Sequence, residues 1–369
     1  MKLHYLFLFL PLLACRRADP PPVSFYYWKT TLSSEDVQSA AMARFSPKTE
    51  PLYLRLFDVD YSAGHNDAIP VGETNLEYVT FDRPVAPVVF ITNRVFTQLS
   101  GGQIDTLAAR VARRIYKRTY YLGERVWGHA LDNATPEVKS VLREQRDSFV
   151  IDWRQRMIPE VQIDCDWTPA TRDAYFRFLK VFKQDYLAQN RRLSCTIRLH
   201  QFRERQQNGV PPVDRGTLMC YNVASPKDTS ARNAIFDPQL VEGYVKNQSD
   251  YPIPLDIALP AFNWGAWFRS GAFRGLLSNW DAPASGDTTL YKALGNNIFQ
   301  VRRDETIGND FLREGDLIRL DQATPEQVLS VLPRLKPLLA GDGRLLIFDW
   351  DSTKTTGYEN LIPAAVAGF

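Results

Sequence analysis

The stretch Glu160-Val161-Gln162-Ile163-Asp164-Cys165-Asp166-Trp167-Thr168 alternates between two kinds of side chain. Successive residues of an extended strand point to opposite faces. Ile163, Cys165 and Trp167 therefore share one face, and Gln162, Asp164, Asp166 and Thr168 share the other. The apolar face suits a covering layer of helices, which turns the two carboxylates toward the interior of a curved sheet. The next extended run repeats the pattern: Cys195, Ile197 and Leu199 face helices, while Ser194, Thr196, Arg198 and His200 face inward. Two inward acids beside an inward Arg form a charge-compensated cluster that keeps at least one carboxylate ionised. The alternative is an ion-pair network that only shapes the fold.

Six further runs carry the same apolar or β-branched signature between turn residues, giving strands at 24–30, 52–58, 87–93, 160–166, 193–200, 216–222, 254–260 and 344–349. Helical patterns lie between them at 34–44, 103–118, 136–146, 169–189, 238–245 and 325–339. Thr135-Pro136, Thr168-Pro169, Asp237-Pro238 and Thr324-Pro325 read as helix starts, a capping side chain followed by Pro. Alternating strands and helices predict a parallel sheet. Eight strands in 369 residues predict an α/β fold, a closed (β/α)8 TIM barrel spanning 24–369. Two gaps exceed a single crossover. Residues 119–159 are expected to hold an extra helix and an aromatic loop, and 263–324 a strand pair, 299–305 with 316–320.

Polar and aromatic residues gather where these strands finish: Trp28 and Lys29, Asp58 and Asp60, Asn93, Asp164 and Asp166, Arg198 and His200, Tyr221 and Asn222, Asp349 and Asp351. In a barrel such positions converge on the C-terminal mouth, where barrel enzymes place their chemistry. Parity is ambiguous for the second and eighth strands, so Asp58, Asp60, Asp349 and Asp351 carry less of the argument.

Composition narrows the partners. Lys and Arg number 44 against 42 Asp and Glu, a net charge of +2, so no strong field marks nucleic acid as a partner. Residues 1–15 join Lys2 to a short apolar stretch ending Leu12-Leu13-Ala14-Cys15, a signal peptide resembling a bacterial lipobox. The resemblance implies that Cys15 is lipidated and that residues 16–23 form a tether. Because Arg16 is not the acidic residue that retains such products at the inner membrane, the expected address is the cell envelope, at the outer membrane. The membrane is then a partner only through the lipid anchor. Cys165, Cys195 and Cys220 fall one per strand without metal-type spacing and read as buried thiols. With three His left in the mature chain, no metal centre and no cofactor are expected.

Ile163-Asp164-Cys165-Asp166-Trp167-Thr168 resembles the fourth-strand Asp-x-Asp-x-Glu signature of family 18 glycoside hydrolases, the chitinase-like barrels. Met219-Cys220-Tyr221-Asn222 resembles that family's sixth-strand Met-x-Tyr-Asp. The resemblance implies a carbohydrate ligand, places Asp164 and Asp166 on the family's two carboxylates, and puts Tyr221 beside the reacting sugar. It also places Thr168 where the family carries its proton-donating Glu, and Asn222 where it carries Asp. A Thr hydroxyl does not serve as general acid near neutral pH, a loss worth about 10²–10⁴ in rate. The chain is similar as well to lipoproteins of Bacteroidetes-type bacteria that have glycoside-hydrolase-like barrels and no assigned activity.

Three functions follow from these residues. The first is an envelope-anchored glycoside-hydrolase-like barrel that binds a glycan and cleaves it through Asp166 and a second carboxylate, Asp58, Asp60, Asp256 or Asp349. Trp28, Trp264 and Trp350 are its candidates for sugar stacking, with Trp167 disfavoured by parity. The second is a catalytically inactive barrel that serves as a lectin or scaffold. The third holds Mg²⁺ or Ca²⁺ on Asp164 and Asp166, against which the neighbouring Arg198 argues. The expected site comprises Asp164 and Asp166 as catalytic residues, with Trp28, Lys29, Asp58, Arg198, His200, Tyr221, Asn222, Asp256, Trp264 and Asp349 contacting the ligand.

Overall fold

The computed structural model describes residues 20–37, 40–76, 81–187, 190–248, 250–278, 280–281, 289–352 and 355–369. Cys15 lies outside the described residues, as do residues 16–19 of the 16–23 segment. The expected helices 34–44 and 169–189 each include residues outside them.

Eight parallel strands close on themselves: Val23–Tyr27, Leu52–Ser62, Val85–Ile91, Glu160–Asp164, Arg192–Arg198, Arg215–Met219, Leu255–Pro260 and Leu345–Phe348. The first pairs with the eighth at Phe25↔Ile347 and with the second at Tyr26↔Tyr53, which completes the ring. The chain is thus a (β/α)8 barrel. Every predicted strand run forms, with ends moved by a few residues. The fourth stops at Asp164 and the sixth at Met219, so the residues after them leave the ladder as loops.

The second strand explains why its parity could not be read. Its register against the third slips between Arg55 and Phe57, a β-bulge. One extra residue flips the face of everything beyond it. Tyr53 and Arg55 therefore point inward by one count, and Asp58 by another. The strand then runs on to Ser62 and returns as an antiparallel hairpin partner, Asp67–Glu73, which the sequence pattern did not reveal.

Residues 119–159 are helical, with no aromatic loop. The helix expected at 103–118 extends over Gly102–Asp132, and Pro136–Glu144 and Arg146–Met157 follow. Ile104, Leu107, Ala108, Val111, Ile115 and Leu122 form the buried stripe of the long helix at helical spacing. Its aromatic residues are contacts to the next helices: Trp127 Nε1 donates to the Leu142 carbonyl (2.8 Å) and the Tyr120 hydroxyl to Asp147 (2.6 Å). At Gly123 a Cβ would stand 2.9 Å from Val150 and 3.1 Å from Trp153, so the close crossing there needs the missing side chain.

Two of the four helix starts form as read. Asp237 accepts from the Gln239 and Leu240 amides, and Thr324 from the Gln327 amide. Thr135 precedes its helix without a side-chain cap, and the helix after the fourth strand begins only at Arg172. A helix at Thr355–Gly368 was not expected; it packs against Pro325–Leu335.

The 263–324 insertion is a five-stranded antiparallel sheet with its own apolar core around Trp267, Trp280, Val301 and Ile318. The expected strand pair is part of it, with Phe299 opposite Ile318. Cys165, Cys195 and Cys220 are free, buried thiols.

Candidate functional site at the barrel mouth

The barrel interior is polar from bottom to top, and its layers lead to the site. At the N-terminal end, Glu160 accepts from Tyr53 (3.1 Å) and Ser194 (2.5 Å), while Asp256 accepts from Arg215 (2.9 Å) and the Arg344 amide (2.8 Å). In the middle, Gln162 accepts from the Tyr26 hydroxyl (2.6 Å) and donates to Ser194 (3.2 Å) and Thr217 (3.1 Å). One layer higher, Asp164 accepts from Thr196 at 2.5 Å. Within the strands that form, Glu160–Asp164 and Arg192–Arg198, the parity read is the parity found. Cys165 is buried on the helix side, and Trp167 stacks on Tyr175 with centroids 5.3 Å apart.

Above these layers, Asp166 is gripped bidentately by Arg198, Nε to Oδ1 at 2.5 Å and Nη2 to Oδ2 at 2.7 Å. Planar fork-to-fork pairing of this kind fixes both partners in orientation. Asp164 lies directly beneath and is only 7% exposed. Burial, reinforced by the charge of Asp166, pushes its carboxyl up to about 7, against the pull of Thr196 and Arg198. Asp164 is therefore a proton-holding group near neutral pH. Its proton is shielded from the opening.

Aromatic rings pave the rest of the mouth. Trp28 meets Phe348 at 5.4 Å, Phe348 meets Tyr221 at 5.2 Å and Phe262 at 5.3 Å, and Phe262 meets Trp264 at 5.4 Å. Trp28, Phe262, Trp264 and Phe348 are all partly exposed, whereas Tyr221 is buried. Arg55 lies over the Trp28 ring (5.8 Å) and pairs with Asp58, its Nε 2.8 Å from Oδ1. The Asp58 charge is felt at Asp164. Asn222 takes a left-handed backbone (φ 54°), a conformation Asn tolerates well, and its side-chain oxygen is buried without a partner.

The structure thus brings Trp28, Asp58, Asp164, Asp166, Arg198, Tyr221 and Trp264 to one end of the barrel, while Asn222 follows Tyr221 with its amide on the Ile235 carbonyl. It adds Arg55, Phe262 and Phe348, which the sequence reading missed. Alternation counted on from Tyr53 could have found Arg55, and counted on from Leu346 could have found Phe348.

Six expected positions fall elsewhere. Asp256 is the second residue of its strand and sits at the closed end of the barrel, fully buried against Arg215. Lys29 follows the inward Trp28, so it turns to the outside and reaches Asp351 (3.2 Å) and Asp36 (3.5 Å). His200 is exposed on a short helix, Leu199–Arg203, because the fifth strand ends at Arg198. Asp349 follows the inward Phe348, and its carbonyl accepts from Tyr358 (2.7 Å). Asp60 is taken up by Thr92 (2.5 Å) and Arg94 (2.7 Å). Trp350 is core: it stacks on Tyr358 at 5.0 Å and donates to the Asp36 carbonyl. Thr168 is drawn sideways into a turn with Thr171 (3.2 Å), which in turn donates to Asn93 (2.5 Å).

Among the described residues no group of three or more His, Cys, Asp or Glu is placed to hold a metal ion. The arrangement is that of an α/β barrel with a carboxylate–guanidinium pair and an aromatic floor at its open end.

No protein-family model and no curated protein sequence matches the chain. Solved structures with similar folds include a chitinase from Chromobacterium violaceum (TM-score 0.46, 11% identity, covering 94% of this chain and 98% of that one). The spore cortex-lytic enzyme SleL of Bacillus megaterium is similar too (TM-score 0.48, 12% identity, 95% and 75%). So is the class V chitinase of Nicotiana tobaccum (TM-score 0.42, 11% identity, 94% and 98%). At such identities and scores the likeness concerns the barrel and assigns no chemistry.

Proposed function

We propose that the chain is a glycan-binding barrel of the glycoside-hydrolase type, held at the cell envelope by a lipid on Cys15, and that its mouth binds carbohydrate without cleaving it. One observation carries the reading: both oxygens of Asp166 are occupied by Arg198 beside a row of partly exposed aromatic rings. Trp28 and Trp264 offer ring faces for stacking against sugar, with Arg55, Asp58, Asp166 and Arg198 as its hydrogen-bonding rim. Cleavage by the family 18 route requires an acid at position 168, and Thr168 is committed to its turn. Asp164 holds a proton near neutrality but is buried below the rim. Catalysis by Asp164 and Asp166 is therefore the less supported use of the same site.

Calorimetric titration with chito-oligosaccharides and a glycan array, paired with a reducing-end assay, tests this. The wild type is expected to bind an oligosaccharide and release no reducing ends. Trp28→Ala should weaken binding about tenfold or more, as loss of a stacking anchor does. Reducing ends from the wild type but not from Asp166→Asn would replace binding with hydrolysis. Absence of any glycan binding would remove both. Incorporation of labelled acyl chain, abolished in Cys15→Ser, tests the anchor.

A further inference from the structure

A cavity lies outside the barrel, between the Asp67–Glu73 hairpin strand and the long helix Gly102–Asp132. Its volume is about 220 Å³, and its walls are Phe57, Val59, Ala68, Pro70, Leu107 and Val111. An apolar cavity of about 150 Å³ holds a benzene ring, so this one admits a somewhat larger body.

Its rim is cationic in a particular way. Arg110, Arg114 and Arg118 follow one another at four-residue spacing, along one face of the helix. All three are used to clamp the hairpin. Arg110 binds Asp67 bidentately (2.6 and 2.8 Å), Arg114 binds Glu73 (2.6 Å) and lies over the Phe57 ring (5.5 Å), and Arg118 donates to the Thr74 carbonyl. The adjacent row differs. Arg113 and Lys117, also four apart, line the cavity, are exposed, and have no hydrogen-bond or ion-pair partner among the described residues. Four cations thus border the cavity against the two carboxylates of the hairpin, in a chain whose net charge is only +2. The clamp needs two of the four. The other two hold an uncompensated positive field over an apolar hole, and such a field selects an anion.

We propose that this cavity binds a small amphiphilic monoanion, its carboxylate or sulfonate head between Arg113 and Lys117 and its ring or short acyl chain against Val59, Ala68 and Val111. The site is independent of the barrel mouth and of any glycan bound there.

Calorimetric titration of the full chain with naphthalene-2-sulfonate, and with neutral naphthalene-2-methanol as its isostere, tests the proposal. The sulfonate is expected to bind at one saturable site, and the Arg113→Gln/Lys117→Gln double variant to bind it about tenfold less tightly. Binding of the alcohol should be unchanged, since both replaced side chains are exposed and outside the clamp. Ala68→Leu, which fills the cavity, should abolish binding of both compounds, while Trp28→Ala should alter neither. Equal sulfonate affinity in the wild type and the double variant, or no saturable binding by the wild type, overturns the proposal.

Discussion

The two ends of the barrel are built from the same chemistry and differ in one respect, access to water. At the closed end, buried Asp256 pairs with Arg215 and buried Glu160 lies 3.8 Å from Arg344, and Asp256 is pushed up to about 6 by desolvation, against the pull of Arg215. At the mouth, Asp164 and Asp166 share Arg198, and the Asp166 side chain remains 41% exposed. The buried pair meets protein groups alone, with Asp256 Oδ2 and Arg215 Nε left without a hydrogen-bond partner, and holds strands in place. A half-exposed pair leaves lone pairs and N–H groups facing outward, where a ligand can meet them. Exposure, and not residue type, separates the structural cluster from the candidate site.

Three substitutions bear on that contrast. Arg215→Met leaves Asp256 as an uncompensated buried carboxyl, and the expected loss is about 3–5 kcal/mol in chemical denaturation at pH 8. The deficit should shrink at pH 5, where Asp256 takes up a proton. An equal loss at both values would mean that the closed end does not depend on charge compensation.

Asp164→Asn tests the upper layer. The carboxyl of Asp164 is raised in the folded chain, so the folded state binds the extra proton between about pH 4 and 7. Wild-type stability from this group is full below about pH 4 and is lost as pH rises through about 7. The Asn variant has nothing to titrate there. Its stability relative to wild type should therefore climb across that window, by up to about 4 kcal/mol, and then level off. A pH-independent difference between the two denaturation midpoints would show Asp164 to be ionised throughout.

Arg198→Met is the mirror of the first substitution and the smallest in stability. Water reaches the Asp166 carboxylate it abandons, so about 1 kcal/mol or less is expected. Glycan affinity should fall nonetheless, because Asp166 loses its fixed orientation. A stability loss as large as that of Arg215→Met would place both ends of the barrel in the same structural class and remove the argument for a site.

The barrel was legible because its signals are local and repeated. Alternation in 160–168 and 193–200 put Gln162, Asp164, Thr196 and Arg198 inside before any coordinates, and the hydrogen bonds from Tyr26 to Gln162 and from Thr196 to Asp164 agree. Alternation fails wherever a strand bulges or ends. The bulge after Arg55 hid the Arg55–Asp58 pair, the early end of the fifth strand moved His200 onto a helix, and Lys29 fell on the opposite face from Trp28. Asp256 was misplaced for another reason. It stands third in the expected run 254–260 and second in the strand found, so its position near the strand start already set it at the end away from the mouth, and only its residue type made it a candidate.

The order of strands and helices, the inward set of the fourth and fifth strands and the Thr at position 168 all follow from the chain read in a line, since period and residue type are properties of neighbours in sequence. Which carboxylates meet water, which aromatic rings touch across strands far apart in the chain, and which guanidinium each acid receives were settled only when the ring of strands closed. Those outcomes depend on distances between residues that the sequence separates by tens or hundreds of positions, and on solvent being excluded from one end of the barrel and admitted at the other.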